Sequence, residues 1–246
     1  MISETTFSKK FTAFWNDLLP NANNHIRLIN GGLIVAEYEP YVESKRKENN
    51  ALVNVIAFGL LRDISLKKIT PADIWAAKFT KSARFEKILQ ESLRYLDRFS
   101  YGKKCNLPLE QDELVLALNL YRQMHARYLK PRGKLIVSPR FPGCGILNEA
   151  QGDILKNDTL IEVKSGERKF SVTDLRQLLT YCTMNHFSTK PYPIKHIELF
   201  NPRMGISFSD TLENLCKQLS ALPSLEVFSE IQKFVTDNNF IEDYGI

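Results

Sequence analysis

No run of 18 consecutive apolar residues occurs in the 246-residue sequence, which excludes a helix built to span a bilayer. The opening residues, MISETTFSKKFTAFW, lack a basic region followed by an apolar stretch. No secretory signal is therefore expected, and a cytoplasmic location is. Cysteine is sparse: Cys105, Cys144, Cys182 and Cys216 are widely spaced and contain no CxxC pair. That speaks against a disulfide framework and against a structural zinc site. Internal repeats and low-complexity segments are absent too. What is present is 43% hydrophobic and 25% charged, enough apolar side chain to bury a core, so intrinsic disorder is excluded. The length allows one large domain or two modest ones.

The formal net charge of +5 conceals an asymmetry. Residues 1–104 hold 17 Lys/Arg against 11 Asp/Glu, residues 105–205 hold 14 against 10, and residues 206–246 hold 2 against 7. A basic body is followed by an acidic tail. Such a body can attract a polyanion such as nucleic acid; a solvated surface without a partner explains the same charge. The tail can also be pictured lying across a basic groove.

Apolar spacing predicts helices over 7–19, 49–64 and 83–99, and Thr70-Pro71-Ala72-Asp73 reads as a helix start. Trp75 falls at helical spacing and is expected in the core. The first hundred residues therefore read as all-helical. A further helix is expected near 111–129, then a short strand at 134–138. Two β-rich runs, 153–156 and 159–164, are split by Asn157-Asp158, a two-residue turn candidate. Ser171-Val172-Thr173-Asp174 resembles a capping box opening a helix to about Asn185. A strand follows at 194–200, and residues 209–235 read as one or two terminal helices.

If Asn157 and Asp158 form the hairpin loop, Lys156 pairs with Thr159, Leu155 with Leu160, Ile154 with Ile161 and Asp153 with Glu162. Opposed residues share a face, with Cβ atoms about 5 Å apart. Lys164, two residues past Glu162, lies on that face as well. Asp153, Glu162 and Lys164 are thus gathered into one cluster on a hairpin that is otherwise largely apolar. Two carboxylates so placed can share a Mg²⁺ ion, which activates a water and stabilises charge on a phosphate. A neighbouring lysine can orient that water. A buried salt-bridge triad uses the same residues without any ligand.

Gly152-Asp153 and Glu162-Val163-Lys164, in this element order, resemble the PD-(D/E)XK nuclease superfamily. Gln177-Leu178-Leu179-Thr180-Tyr181 is similar to the Q-x-x-x-Y motif of its RecB-like members. The resemblance covers about residues 111–203, and Gly152 replaces the proline of the family name. It implies an α/β fold with a restriction-endonuclease-like core, an α-β-β-β-α-β mixed sheet flanked by helices. That core would occupy 105–205, behind an all-helical region over 1–104 and ahead of an acidic helical extension over 206–246. It further implies Mg²⁺- or Mn²⁺-dependent hydrolysis of phosphodiester bonds in DNA, with RNA a second possible substrate, in phage defence, restriction or repair. Asp153, Glu162 and the Val163 carbonyl would bind metal, Lys164 would orient water, and Gln177 and Tyr181 would position the lysine side of the site. Many members draw another acid from the first core helix, which favours Glu113, with Glu110 and Glu149 as alternatives. Arg168, Lys169, Arg176 and Arg203 are candidate phosphate contacts, and the N-terminal helices a candidate surface for a partner protein. The competing functions are a nucleic-acid-binding module without catalysis and a helical interaction protein.

Overall fold

The computed structural model describes residues 1–42, 45–75, 78–99 and 105–237. Helices α1 (Glu4–Lys10), α2 (Thr12–Leu18) and α3 (Ala22–Leu28) come first, followed by strand β1 (Val35–Ala36). Helices α4 (Asn50–Ser65), α5 (Pro71–Trp75) and α6 (Ala83–Phe99) complete the N-terminal part, and α7 (Gln111–Met124) continues as a π-helical turn through Leu129. Strands β2 (Leu135–Val137), β3 (Arg140–Phe141), β4 (Ala150–Gln151), β5 (Ile154–Lys156) and β6 (Thr159–Val163) lead to α8 (Val172–His186). The chain closes with β7 (His196–Asn201), β8 (Ile206–Thr211), α9 (Leu212–Ser220) and α10 (Ser224–Asp237).

Six strands form one mixed sheet in the order β1-β8-β7-β6-β5-β2, and β3 pairs with β4 apart from it. Only β6 and β7 run parallel; the other pairs are antiparallel. Helix α8 makes the crossover that a parallel pair requires. The protein is therefore α/β, a mixed sheet flanked by helices. The hairpin register is the expected one: Lys156 opposite Thr159, Leu155 opposite Leu160, Ile154 opposite Ile161. Asn157 takes the left-handed backbone the turn needs, with φ at +54°, a conformation asparagine tolerates.

Alternation along β6 separates two cores. Leu160 faces a cluster with Leu178, Leu179, Leu199 and residues of α1–α3, α9 and α10, whereas Ile161 joins Phe200, Ile154 and residues of α4, α6 and α7 on the opposite face. Helix α4 is apolar enough to sit inside the second core, burying Leu52, Val53, Ile56, Ala57, Leu60 and Leu61. Its Gly59 lets α6 come close: a Cβ there would meet Ile88 Cγ2 at 3.1 Å.

The described part of the first hundred residues is helical except for β1, which extends the sheet. These helices cover both faces of the sheet, and most of their apolar side chains are buried there. Trp75 is not in the core as expected. It is 49% exposed, and the Arg122 guanidinium lies 4.5 Å from its ring centre. The terminal region also departs from the expectation: residues 206–211 form β8, not the start of a helix, because Ile206, Ser207 and Phe208 are buried in antiparallel pairing with β7. Among the described residues no helix is long and apolar enough to cross a membrane.

Candidate active site

The end of β6 and the start of α8 meet where the chain enters β5, and there the expected cluster assembles. Asp153, just ahead of β5, accepts the Val163 backbone N–H through Oδ2 at 2.7 Å. Glu162 points to the α8 side of the sheet and is buried. Lys164 Nζ donates to Glu162 Oε1 at 2.7 Å and to Gln177 Oε1 at 2.8 Å, and lies 3.6 Å from Asp174 Oδ1. Gln177 in turn donates to the Tyr181 hydroxyl at 2.9 Å. The four-residue spacing on one helical face lets Tyr181 hold Gln177, and Gln177 hold the lysine.

Electrostatics at this cluster are unusual for carboxylates. Burial pushes the Glu162 pKa up to about 8, with the nearby Asp153 carboxylate adding to the rise and Lys164 opposing it. Burial likewise raises Asp153 against the pull of Lys164. The Lys164 pKa is raised as well: burial disfavours its charge, but Glu162 and Asp174 outweigh that. The ammonium stays charged, and the two carboxylates are held in an environment short of positive charge.

Three further groups stand at the cluster, two of them, Glu4 and Tyr95, without a sequence signal for it. Glu4, in the first turn of α1, accepts from the Tyr181 hydroxyl at 3.3 Å and adds to the rise in the pKa of Asp153. The helix expected over 7–19 does not reach it, and only the packing of α1 against α8 brings it here. Tyr95, on α6, has its phenol pKa raised, first by burial and then by Asp153, Glu4 and Glu162. About half of its surface is open to solvent. Asp174 was legible as a cap and fulfils that role, accepting from Ser171 N at 2.8 Å. It also accepts both Arg168 terminal nitrogens, at 2.8 and 3.0 Å.

The loop after Lys164 is pinned from two sides. Arg203 donates to the Ser165 carbonyl and to Asn54 Oδ1, both at 2.8 Å, and Asn201 Nδ2 donates to the Gly166 and Arg168 carbonyls at 2.8 and 3.1 Å. Arg203 is 1% exposed. It is a clamp on this loop and not the surface phosphate contact expected from its place after the strand.

Other expected residues are also placed elsewhere. Glu113 is fully buried in the first turn of α7, where it pairs with Arg46, accepts from Asn49 at 2.8 Å and closes a capping box on Glu110 N. Its oxygens are taken up in tying α7 to the segment before α4, which removes it as a site acid. Glu110 is the N-cap of that helix, and Glu149 is a surface residue 3.6 Å from Arg140. Arg176 is buried with its cation 5.8 Å from the Trp15 ring centre and a 3.2 Å bond to Asn16, so it too is withdrawn from solvent. Arg168 stays at the site, and Lys169 is exposed, its Nζ on the Asn30 carbonyl at 2.8 Å.

Among the described residues, no three His, Cys, Asp or Glu side chains form a ready metal cage. Asp153 and Glu162 offer a two-carboxylate set instead. Asp153 Oδ1 and Glu162 Oε2 have no protein hydrogen-bond donor among the described residues, although burial penalises both anions. A Mg²⁺-type ion suits this donor set, since it is commonly bound by one or two carboxylates with waters and substrate oxygens completing the shell. No family model, curated protein or solved structure matches the chain.

Proposed function

We propose that the chain is a metal-dependent nuclease with a restriction-endonuclease-like core, hydrolysing phosphodiester bonds in DNA. The observation that carries this reading is the Lys164 ammonium bridging Glu162 and Gln177 beside Asp153. Asp153 and Glu162 would hold Mg²⁺ or Mn²⁺ through the oxygens not engaged by Val163 and Lys164, with the Val163 carbonyl as a further donor. Bound there, such an ion supplies a Lewis acid for a phosphoryl oxygen and a water of lowered pKa.

The remaining roles follow from the chain's own groups. The raised pKa of Lys164 keeps it an ammonium, so it donates hydrogen bonds and positive charge and does not act as a base. It can orient the attacking water and offset charge that builds on the phosphate. Gln177 and Tyr181 keep the lysine aimed. Glu4 adds a carboxylate at the Tyr181 end of the cluster. Arg168 and Lys169 are the basic side chains next to the site that can meet a phosphate backbone.

A second reading, a binding or interaction module without catalysis, draws on one observation: Lys164 already has acceptors in Glu162, Gln177 and Asp174. A cleavage assay on supercoiled, linear and single-stranded DNA and on RNA separates the two. The nuclease reading requires cutting with Mg²⁺ or Mn²⁺ that chelator stops, and that Asp153→Ala and Lys164→Ala each reduce to the chelator background. Undiminished cutting by Asp153→Ala refutes the site. Tight binding to DNA without cutting under either metal gives the second reading the case.

A further inference from the structure

Beside the carboxylates, Lys164 and Gln177 also line a cavity of about 330 Å³ between α1 and the start of α8. Its walls include Thr5, Lys9, Lys164, Arg168, Thr173 and Asp174. The lining is polar and carries three cations against one anion. Asp174 is held by both terminal nitrogens of Arg168 and by Ser171, and Lys164 is paired with Glu162, which leaves Lys9 as the cation not engaged by an anion among the described residues. Lys9 is exposed and has no ion pair or hydrogen bond among the described residues, and the same holds for the Thr173 hydroxyl. Uncommitted donors around a net positive cavity suit an anion. An apolar ligand would leave them without acceptors, and a metal cation would be repelled.

We propose that this cavity is a phosphate-binding subsite, with Lys9 as its principal contact and Thr173 as a second donor. It deepens the nuclease reading and rests on it for the identity of the ligand: a phosphate of the bound strand close to the bond that is cut. Lys164 belongs to both sites, donating to Glu162 and lining the cavity. A phosphate held there would fix the strand's register at the carboxylates. The same chemistry serves an internal phosphodiester or a terminal phosphate.

The test is equilibrium binding of the full chain in chelator, over a salt series. The probes are oligonucleotides bearing a 5′ phosphate, a 3′ phosphate or neither, and inorganic phosphate as a competitor. Lys9→Glu is expected to weaken binding about tenfold, the low end for one hydrogen bond to a charged group. It should also lower the salt slope by about one, with Lys9→Arg restoring both. Because the Lys9 side chain has no partner to lose, Lys9→Ala should fold normally and weaken binding in the same direction. A loss confined to one phosphorylated oligonucleotide assigns a terminal phosphate; an equal loss on all three assigns an internal one. Unchanged affinity and slope in Lys9→Glu overturn the subsite, as does a wild type that binds neither oligonucleotide nor inorganic phosphate. Lys9-dependent phosphate binding by a chain that never cuts keeps the subsite and removes the nuclease reading. Cutting that Lys9→Glu leaves at wild-type rate and affinity does the reverse.

Discussion

Replacing Glu162 by Gln should stabilise the metal-free protein at alkaline pH while abolishing its proposed activity. The Glu162 carboxyl has its pKa lifted from the ordinary 4.5 to about 8, chiefly by burial and then by Asp153. A carboxyl whose pKa is higher folded than unfolded adds stability below the unfolded value, and that contribution is lost as pH rises through the folded one. Between pH 4.5 and 8 the unfolded chain releases this proton and the folded chain keeps it, so stability falls across that window. At about 1.4 kcal/mol per tenfold change in proton affinity, the upper limit is about 5 kcal/mol. Local opening at the sheet's end can hydrate the anion without unfolding the chain, so about 2 kcal/mol should reach the whole fold. Gln mimics the protonated acid in shape and still offers Lys164 an acceptor. For a chain of this size the expected gain is roughly 4–8 °C in Tm at pH 8.5. At pH 5, where Glu162 is already protonated in the fold, the two proteins should melt nearly together. Thermal unfolding in chelator at both pH values makes the comparison. A Glu162→Gln protein that melts lower than wild type at pH 8.5 would refute the reasoning, because Glu162 would then be a stabilising partner of Lys164.

Removing the buried carboxylate at the start of α7 with Glu113→Ala takes an acceptor from Asn49 and from the Glu110 N–H and should cost about 1–3 kcal/mol, read by denaturant unfolding. At a temperature where the variant remains folded, its metal-dependent cutting should persist, since Glu113 lies in a different network. Asn201→Ala removes two bonds to the loop after Lys164 and the acceptor of the Arg203 and Met204 N–H groups, and should cost about 1–3 kcal/mol. It should lower the cleavage rate more than it lowers DNA affinity, which a comparison of kcat with binding in chelator reads out. Tyr181→Phe deletes the hydroxyl that fixes Gln177 and should reduce cutting while leaving the fold intact by circular dichroism.

Much of this arrangement was legible in the sequence because it is local. The hairpin register follows from a two-residue turn and strict alternation, and it places Asp153, Glu162 and Lys164 together without knowledge of the rest. The Gln177–Tyr181 pair follows from helical spacing, and the Asp174 cap from a four-residue motif. What could not be read depends on packing between distant segments. Glu4 reaches the cluster only because α1 lies against α8, across more than 160 residues of chain. Glu113 satisfied the expected geometry of a first-helix acid, yet capping of its own helix and the Arg46 partner claimed its oxygens. Arg176 and Arg203 are cations in a basic body, and cations are ordinarily exposed; here one lies over Trp15 and the other anchors the Ser165 carbonyl. Strand β8 was hidden by the polar Ser207, Ser209 and Asp210, which gave the run too little apolar character to be read as a strand.

The most direct test of the central claim is calorimetric titration of the chelator-stripped protein with Mn²⁺ in buffers of different ionisation enthalpy. Because Glu162 is held protonated near neutrality, metal binding there must expel its proton. A metal held by Asp153 and Glu162 requires one ion per chain with release of close to one proton at pH 6.5. That release should fade as pH rises above 8, and saturable binding should be lost in Asp153→Asn. Binding without proton release, or binding that Asp153→Asn leaves intact, would contradict it.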